Sequence, residues 1–409
     1  MKINCRSCNS NSTEMILDLG KCPPANSYLL KKIKEKSLPL QVFFCKKCYL
    51  AQTKDYTSRE TFFNKDYAYF SSESKYWLDH AFQYVEFITK YLKFEKLKKP
   101  SVCEIASNDG YLLKNFDQKK IKVTGVEPTK STAKVSAAKG ITTYTNFFSK
   151  SFSKKLINER GKFDLVIANN VIAHVPNVND FVRGIKNILK DNGVATLEFA
   201  YLVELYKNIQ FDTIYHEHYS YYTLSSINYL FNRNKLTIFK VQKLKSHGGS
   251  LRIFVKNSDN KNIKKQVSVK NLLNYEIKSS YCSAKKYKSL QKSINKISKE
   301  FKNFLVDVKK NKKKIIGYGA AAKASSLINF ANVKNDLLNE IIDISKSKQG
   351  KLMPGSNIKI VNMDILKKEK FDYIIIFPWN IRKEIVNQLK KILAYKVKFV
   401  IFIPQKKFF

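Results

Sequence analysis

The sequence predicts an α/β protein in three parts: a small cysteine-bearing module, a central Rossmann-like domain and a second Rossmann-like α/β domain at the C-terminus. Two cysteine pairs, alternating apolar strands and helices from Ser101 onward, and a second strand–glycine turn–helix unit near Gly317 carry that expectation. A chain of 409 residues has room for two or three domains. The parts are expected at 1–66, 67–240 and 241–409.

In the first part, Cys5-x-x-Cys8 and Cys45-x-x-Cys48 each let two thiolates face one tetrahedral ion. Two such knuckles complete a four-thiolate zinc site, so this is read as a zinc-binding module. Four thiolates leave no open position on the metal, which makes the zinc structural rather than catalytic. The competing reading is two separate redox pairs. Turn formers (Gly20, Pro23, Pro24, Asn26) fill the long gap between the knuckles, and short strands and turns are expected around the ion. Cys22, Cys103 and Cys282 read as ordinary free cysteines, and so few, clustered cysteines exclude a secreted disulfide scaffold.

An aromatic, amphipathic stretch follows, with Trp77, Ala81, Val85 and Ile88 at helical spacing. Strands are expected over 102–106, 123–127, 163–169 and 194–199, together forming a parallel sheet. A helix over 182–189 is expected to stop at Asp191-Asn192-Gly193. The polar stretch 257–265 marks a boundary or surface loop. Beyond it, Leu290, Ile294, Ile297, Phe301, Phe304 and Val308 form the packed stripe of a lysine-rich helix. Strands over 341–344, 373–377 and 399–403 complete the last domain with the glycine turn at Gly317.

Charge is the unusual feature: 75 Lys plus Arg against 33 Asp plus Glu, a net +42. Nucleic-acid binding is one reading. The lysines are spread through the folded pattern without a separate block, which favours compositional bias and makes a nucleic-acid partner unlikely on sequence grounds. A smaller polyanion, such as a nucleotide diphosphate, would also be drawn to this field. No apolar run reaches membrane-spanning length and the start lacks a signal-peptide core, so a soluble, cytoplasmic protein without a membrane partner is expected.

Four constellations carry chemistry. In Glu104-Ile105-Ala106-Ser107-Asn108-Asp109-Gly110, a strand ends in a small-residue turn that opens a helix, and Glu127 ends the next strand. A carboxylate there accepts hydrogen bonds from ribose hydroxyls. The dinucleotide fingerprint is absent and a cofactor without phosphate needs a looser turn, which points to S-adenosylmethionine (SAM) and a SAM methyltransferase domain. Tyr215-His216-Glu217-His218-Tyr219-Ser220-Tyr221-Tyr222 sets two histidines around an acid, a pattern suited to proton abstraction and too weak for metal. His174 follows the strand over 163–169, at the ligand edge of the sheet, with Asn170 beside it. Gly317-Tyr318-Gly319-Ala320-Ala321-Ala322-Lys323 and His247-Gly248-Gly249-Ser250-Leu251-Arg252 pair glycine turns with a cation, suited to an anion or to tight packing.

Taken in order, these motifs resemble the sugar C-methyltransferases, over essentially the whole chain. The resemblance implies methylation at C-3 of a nucleotide-linked 4-keto-deoxysugar, with SAM and structural zinc as cofactors. It also implies a C-terminal domain that helps hold the nucleotide sugar. Cys5, Cys8, Cys45 and Cys48 match the family's zinc ligands. His218 matches its proposed base, with Tyr215, Glu217 and His174 around it. Glu104, Ala106, Asn108, Asp109, Gly110, Glu127 and Asn170 are expected to hold the cofactor; relatives often carry glycine where Ala106 stands. Tyr67, Tyr69 and Ser71 resemble a segment that closes over the ligands. With Tyr222, Ser250, Arg252, Tyr318 and Lys323 they are expected to touch the acceptor. The competing readings are a sugar O-methyltransferase on the same scaffold, a zinc-bearing nucleic-acid methyltransferase and an RNA-binding module.

Overall fold

A computed structural model describes residues 3–56, 59–62, 70–119 and 121–409. Its strands form three sheets, and two of them are parallel-cored and helix-covered as the alternating pattern demands.

The N-terminal sheet orders Thr13–Cys22, Leu38–Cys45, Ala51–Thr53 and Ser220–Tyr221, all antiparallel. The first two strands are longer than the short strands expected around zinc, with register shifts along their pairing. The fourth strand comes from far along the chain and directly follows the Tyr215–Tyr219 segment.

The central sheet orders Leu236–Leu244, Ser250–Asn257, Leu189–Ala200, Phe163–Asn169, Ser101–Ile105, Lys122–Val126 and Thr143–Tyr144. Its last five in that order are parallel, and the first two are antiparallel additions that carry the sheet across residue 240. The Lys75–Tyr91 helix packs Trp77, Ala81, Val85 and Ile88 onto this sheet, as their spacing predicts. Its first turn is capped by the Ser74 hydroxyl, which accepts from the Trp77 N–H at 3.3 Å.

One local expectation is corrected. Asp191-Asn192-Gly193 does not end a helix: the helix is Val178–Ile188, and the Leu189–Ala200 strand runs straight through the three residues. Phe163 faces Leu189 while Leu165 faces Val194, so the strand bulges there. A Cβ on Gly193 would stand 2.8 Å from the Phe163 carbonyl oxygen, so glycine serves close backbone approach rather than a stop.

The C-terminal sheet orders Lys359–Val361, Glu340–Ile342, Ile315–Tyr318, Tyr373–Ile376, Lys398–Ile401 and Lys407–Phe408. Numbered along the chain this is 3-2-1-4-5-6, the doubly wound order, with only the last strand antiparallel. The Leu290–Lys310 helix buries Leu290, Ile294, Ile297, Phe301 and Val308, while Lys292, Lys296 and Lys299 face solvent. Its lysines are therefore the solvated side of an amphipathic helix. No helix among the described residues is long and apolar enough to cross a membrane.

Candidate active site

In the central sheet the strand order reverses between Ser101–Ile105 and Phe163–Asn169, and ligands bind open α/β sheets at such points. Ser101–Ile105 and Lys122–Val126 run parallel, so Glu104, the following turn and Glu127 arrive together at the carboxyl edge. The turn is tightly coiled: Ala106, Asn108 and Gly110 have φ of 58°, 50° and 75°. Glu127 holds it, accepting from the Asn108 N–H at 2.9 Å and from the Thr129 N–H at 2.9 Å. A Cβ on Gly125 would stand 2.5 Å from Ser107 Oγ, which explains a glycine just before Glu127. Ala106 occupies a left-handed position where L-residues are strained by roughly 1–2 kcal/mol, and glycine would relieve it.

Glu104, Asp109 and Glu127 are buried together. Burial, with Glu127 and Asp109 nearby, pushes the Glu104 carboxyl well above its ordinary range. Burial pushes Glu127 up as well, against the Thr129 and Asn108 amides. The nearest cation is Lys139, whose ammonium lies 3.7 Å from Asp109 Oδ2 and donates to the Asp109 carbonyl at 2.6 Å. The Ser72 hydroxyl donates to Asp109 Oδ2, and the Ser71 N–H donates to Asn108 Oδ1 at 2.8 Å. Among the described residues, Glu104 Oε2, Asp109 Oδ1 and Asn169 Oδ1 are buried acceptors without a hydrogen-bond partner.

Orphaned acceptors in an acid cluster call for a cation that also donates hydrogen bonds. SAM, with its sulfonium, ammonium and ribose hydroxyls, fits this residue set, whereas a pyrophosphate would be repelled. Asn170 stands across the switch point in a left-handed conformation (φ 53°), its N–H on the Glu198 carbonyl at 2.7 Å. A cation entering this cluster favours ionised carboxylates, so binding should release protons at pH values between the ordinary 4.5 of Glu104 and its raised value. Affinity for SAM should therefore rise with pH across that window. Calorimetry in buffers of different ionisation enthalpy measures the proton count, and proton uptake would contradict the assignment.

The second half of the site is built by the Phe211–Tyr221 segment. His218 Nδ1–H donates to the Thr213 carbonyl at 2.7 Å, which leaves the lone pair on Nε2. The Tyr215 hydroxyl lies 2.9 Å from that Nε2, with the rings stacked at 4.0 Å. His174 donates from Nδ1 to the Glu217 carbonyl at 2.8 Å, and its ring centroid is 4.6 Å from that of His218. Burial, reinforced by His174, holds His218 well below the ordinary histidine range. Burial lowers His174 to about 4. Both imidazoles are neutral near pH 7.

The fold brings Tyr215, His218 and His174 side by side, but their neighbours divide. Glu217 turns its carboxylate to the N-terminal module, where Asn26 donates from its backbone at 3.3 Å and from its side chain at 3.2 Å. His216 lies against the Pro39 carbonyl at 3.2 Å. Tyr222 is buried edge-on against Phe199, with Cys5 and Cys48 among its electrostatic neighbours. Arg252 and Ser250 point into the central sheet's edge: Arg252 pairs with buried Glu198 at 2.7 Å and lies over the Tyr84 ring, and Ser250 donates to the Ser246 carbonyl. Burial alone would raise Glu198, but His80, Arg252 and Ser246 outweigh it and hold it down at about 2.

From the C-terminal domain, Lys323 reaches Asn380 Oδ1 at 3.2 Å and covers the Trp379 ring. Asp212 is its charge partner and accepts from the Trp379 indole at 2.8 Å. Tyr318 is buried beside Asp343. Tyr67 and Tyr69 lie outside the described residues. Lys139, Glu198, His80, Asp212 and His247 were not identified as site residues from sequence. Lys139, Glu198, His80 and Asp212 belong to no short motif, and only the fold gathers them; His247 opens the glycine-turn motif that ends at Arg252 but was given no role of its own. A cleft of about 640 Å³ at the opposite end of the C-terminal sheet, lined by Tyr373, Tyr395 and Lys398 among others, contains none of these groups.

The four knuckle cysteines are buried, with all four sulfurs within 4.8 Å of one another. Cys5 and Cys48 lie 3.4 Å apart and Cys8 and Cys45 3.5 Å apart. Four thiols crowded so closely fit one tetrahedral zinc and leave no position for a substrate.

Three family models match in sequence: a zinc binding domain over residues 5–63, a methyltransferase domain over 76–241 and a C-methyltransferase C-terminal domain over 245–404. The chain is 27% identical to the C-methyltransferase NovU of Streptomyces niveus, covering 98% of this chain and 95% of that one. Among solved structures, magnesium protoporphyrin IX methyltransferase (ChlM) from Synechocystis PCC 6803 is 18% identical with a TM-score of 0.35, over 44% of this chain and 85% of its own. An S-adenosylmethionine-dependent methyltransferase from Clostridium acetobutylicum ATCC 824 is 15% identical with a TM-score of 0.34, over 42% and 89%. Likenesses at those scores bear no weight here.

Proposed function

As this chain belongs to the C-methyltransferases that join a zinc binding domain, a methyltransferase domain and a C-terminal domain, we propose that it methylates C-3 of a nucleotide-linked 4-keto-deoxysugar. It is a SAM-dependent methyltransferase, and its zinc is structural. The observation that carries the substrate reading is His218: a neutral imidazole with its Nδ1–H fixed on Thr213 and its basic Nε2 beside a phenol. A methyl group added at carbon requires a carbon nucleophile, and a hydrogen beside a ketone is acidic because its enolate carries charge on oxygen. His218 Nε2 takes that proton, and the Tyr215 hydroxyl orients the ring. Glu104–Gly110 and Glu127 would hold SAM, which when bound would supply the electrophilic methyl. Lys323, one step from Asp212, gives the phosphates a cation at the C-terminal domain. The even spread of lysine, without a separate block, argues against a nucleic-acid partner.

The test is a panel of 4-keto-6-deoxyhexoses linked to UDP, GDP, CDP and dTDP, incubated with methyl-labelled SAM. Carbon NMR of the product should place the label on a ring carbon beside the ketone. A label on oxygen, or transfer to sugars without a ketone, would overturn the reading.

A further inference from the structure

The segment between the last two strands of the central sheet is forced into an uncommon shape. His247, Gly248 and Gly249 have φ of 51°, 86° and 121°, three positive values in a row. Packing fixes both glycines: a Cβ on Gly248 would stand 2.5 Å from the Trp379 ring, and one on Gly249 would stand 2.7 Å from Glu204. The turn is tied down as well, since Gln210 donates to the Gly248 carbonyl at 2.7 Å and Tyr201 N–H donates to the Gly249 carbonyl at 3.1 Å. Neither constraint explains a histidine at the first position, where glycine or asparagine would cost less. Strain retained at one non-glycine residue points to use of its side chain.

The side chain is placed for such use. Its ring packs 4.9 Å from Trp77, which in turn packs 6.0 Å from Tyr111, the residue following the cofactor turn. Its charged neighbours are Lys323, Glu198 and His80, the last of which stacks on the same Trp77 ring at 4.7 Å. It also stands among the groups that act electrostatically on His218. Thus it lies between the donor cradle and the acceptor side. Its Nε2 is buried and meets no hydrogen-bond partner among the described residues. A buried polar atom left open next to a reaction site is an unmet partnership that a ligand can complete. Burial lowers His247 to about 4, so near pH 7 it is a neutral imidazole, able to donate one N–H without adding net charge.

We propose that His247 is a catalytic residue whose Nε2–H donates to the acceptor's ketone oxygen and stabilises it as an enolate. The inference rests on the ketone reading above. The atoms balance without any further reactant. The C-3 hydrogen passes as a proton to His218 Nε2, and the electrons of that C–H bond become the new carbon–carbon double bond. The carbonyl π electrons move onto oxygen, where His247 donates its hydrogen bond.

His247→Gly and His247→Asn both suit the left-handed backbone, so folding is preserved and the strain is removed. With the 4-ketosugar panel and no SAM, wild-type protein should exchange the C-3 hydrogen with D2O, followed by proton NMR. The exchange rate of His247→Gly should fall by about 10²–10³-fold, the usual loss when one such donor is removed. His247→Asn, which keeps an N–H donor, should recover part of it. Affinity for S-adenosylhomocysteine, by calorimetry, should be unchanged in both. A folded His247→Gly that exchanges at the wild-type rate would overturn the role of His247 while leaving the ketone reading intact. Failure of wild-type protein to exchange any member of the panel would overturn both.

Discussion

Replacing His218 with glutamine should abolish exchange of the acceptor's C-3 hydrogen and, with it, methyl transfer. Removal of a positioned general base costs typically 10²–10⁴-fold. Deuterium exchange by NMR, with and without SAM, separates this loss from a loss of cofactor. Retained exchange and turnover in His218→Gln would refute the assignment. The pH dependence follows from the same burial. Because His218 is held well below 6.5, its neutral, basic form persists below that pH. The acid limb of the exchange rate should therefore fall below the ordinary histidine range. Stability responds with the matching sign. The unfolded chain binds a proton near 6.5 that the folded site refuses, so stability is lost as pH falls through that value and below.

The second large effect concerns the metal. Structural zinc contributes about 10–16 kcal/mol to small four-ligand modules at neutral pH, more than most domains have in total. Chelation, or Cys48→Ser, should therefore unfold the N-terminal sheet. Ser220–Tyr221 belongs to that sheet and Thr53 donates to the His218 carbonyl at 3.1 Å, so the base should lose its position too. The donor cradle is built from other strands and should keep its affinity for S-adenosylhomocysteine. Calorimetry and hydrogen exchange on zinc-depleted protein give the comparison; parallel loss of both activities would contradict it.

Much of this architecture could be read from residue order because it is written in local periods. The Trp77, Ala81, Val85 and Ile88 stripe announces a helix, and the apolar run Phe163–Asn169 is a buried parallel strand as expected. The cysteine pairs and the turn from Glu104 to Gly110 are compact motifs, each recognisable from a few residues in a row. What sequence did not disclose depends on distant chain. Arg252 read as an anion-binding cation, yet the antiparallel register brings it opposite Glu198, and burial makes that pairing decisive. Asp191-Asn192-Gly193 carried a stop signal that close backbone approach to Phe163 overrode. His216 and His218 look equivalent in a His-x-His motif. Only the fold sends one to Pro39 and the other to Thr213.

The two-residue strand Ser220–Tyr221 has a meaning for how such proteins can be recombined. It lies inside the methyltransferase match over 76–241, which a geneticist would treat as separable from the zinc binding match over 5–63, yet it completes the edge of the first module. A chimera that exchanges residues 5–63 for those of a relative would leave the host's Ser220 and Tyr221 to zip onto a foreign neighbour. Successful hybrids should therefore need both pieces from the same parent. The piece to be exchanged is a discontinuous one, with the Ser220–Tyr221 strand travelling alongside the zinc module.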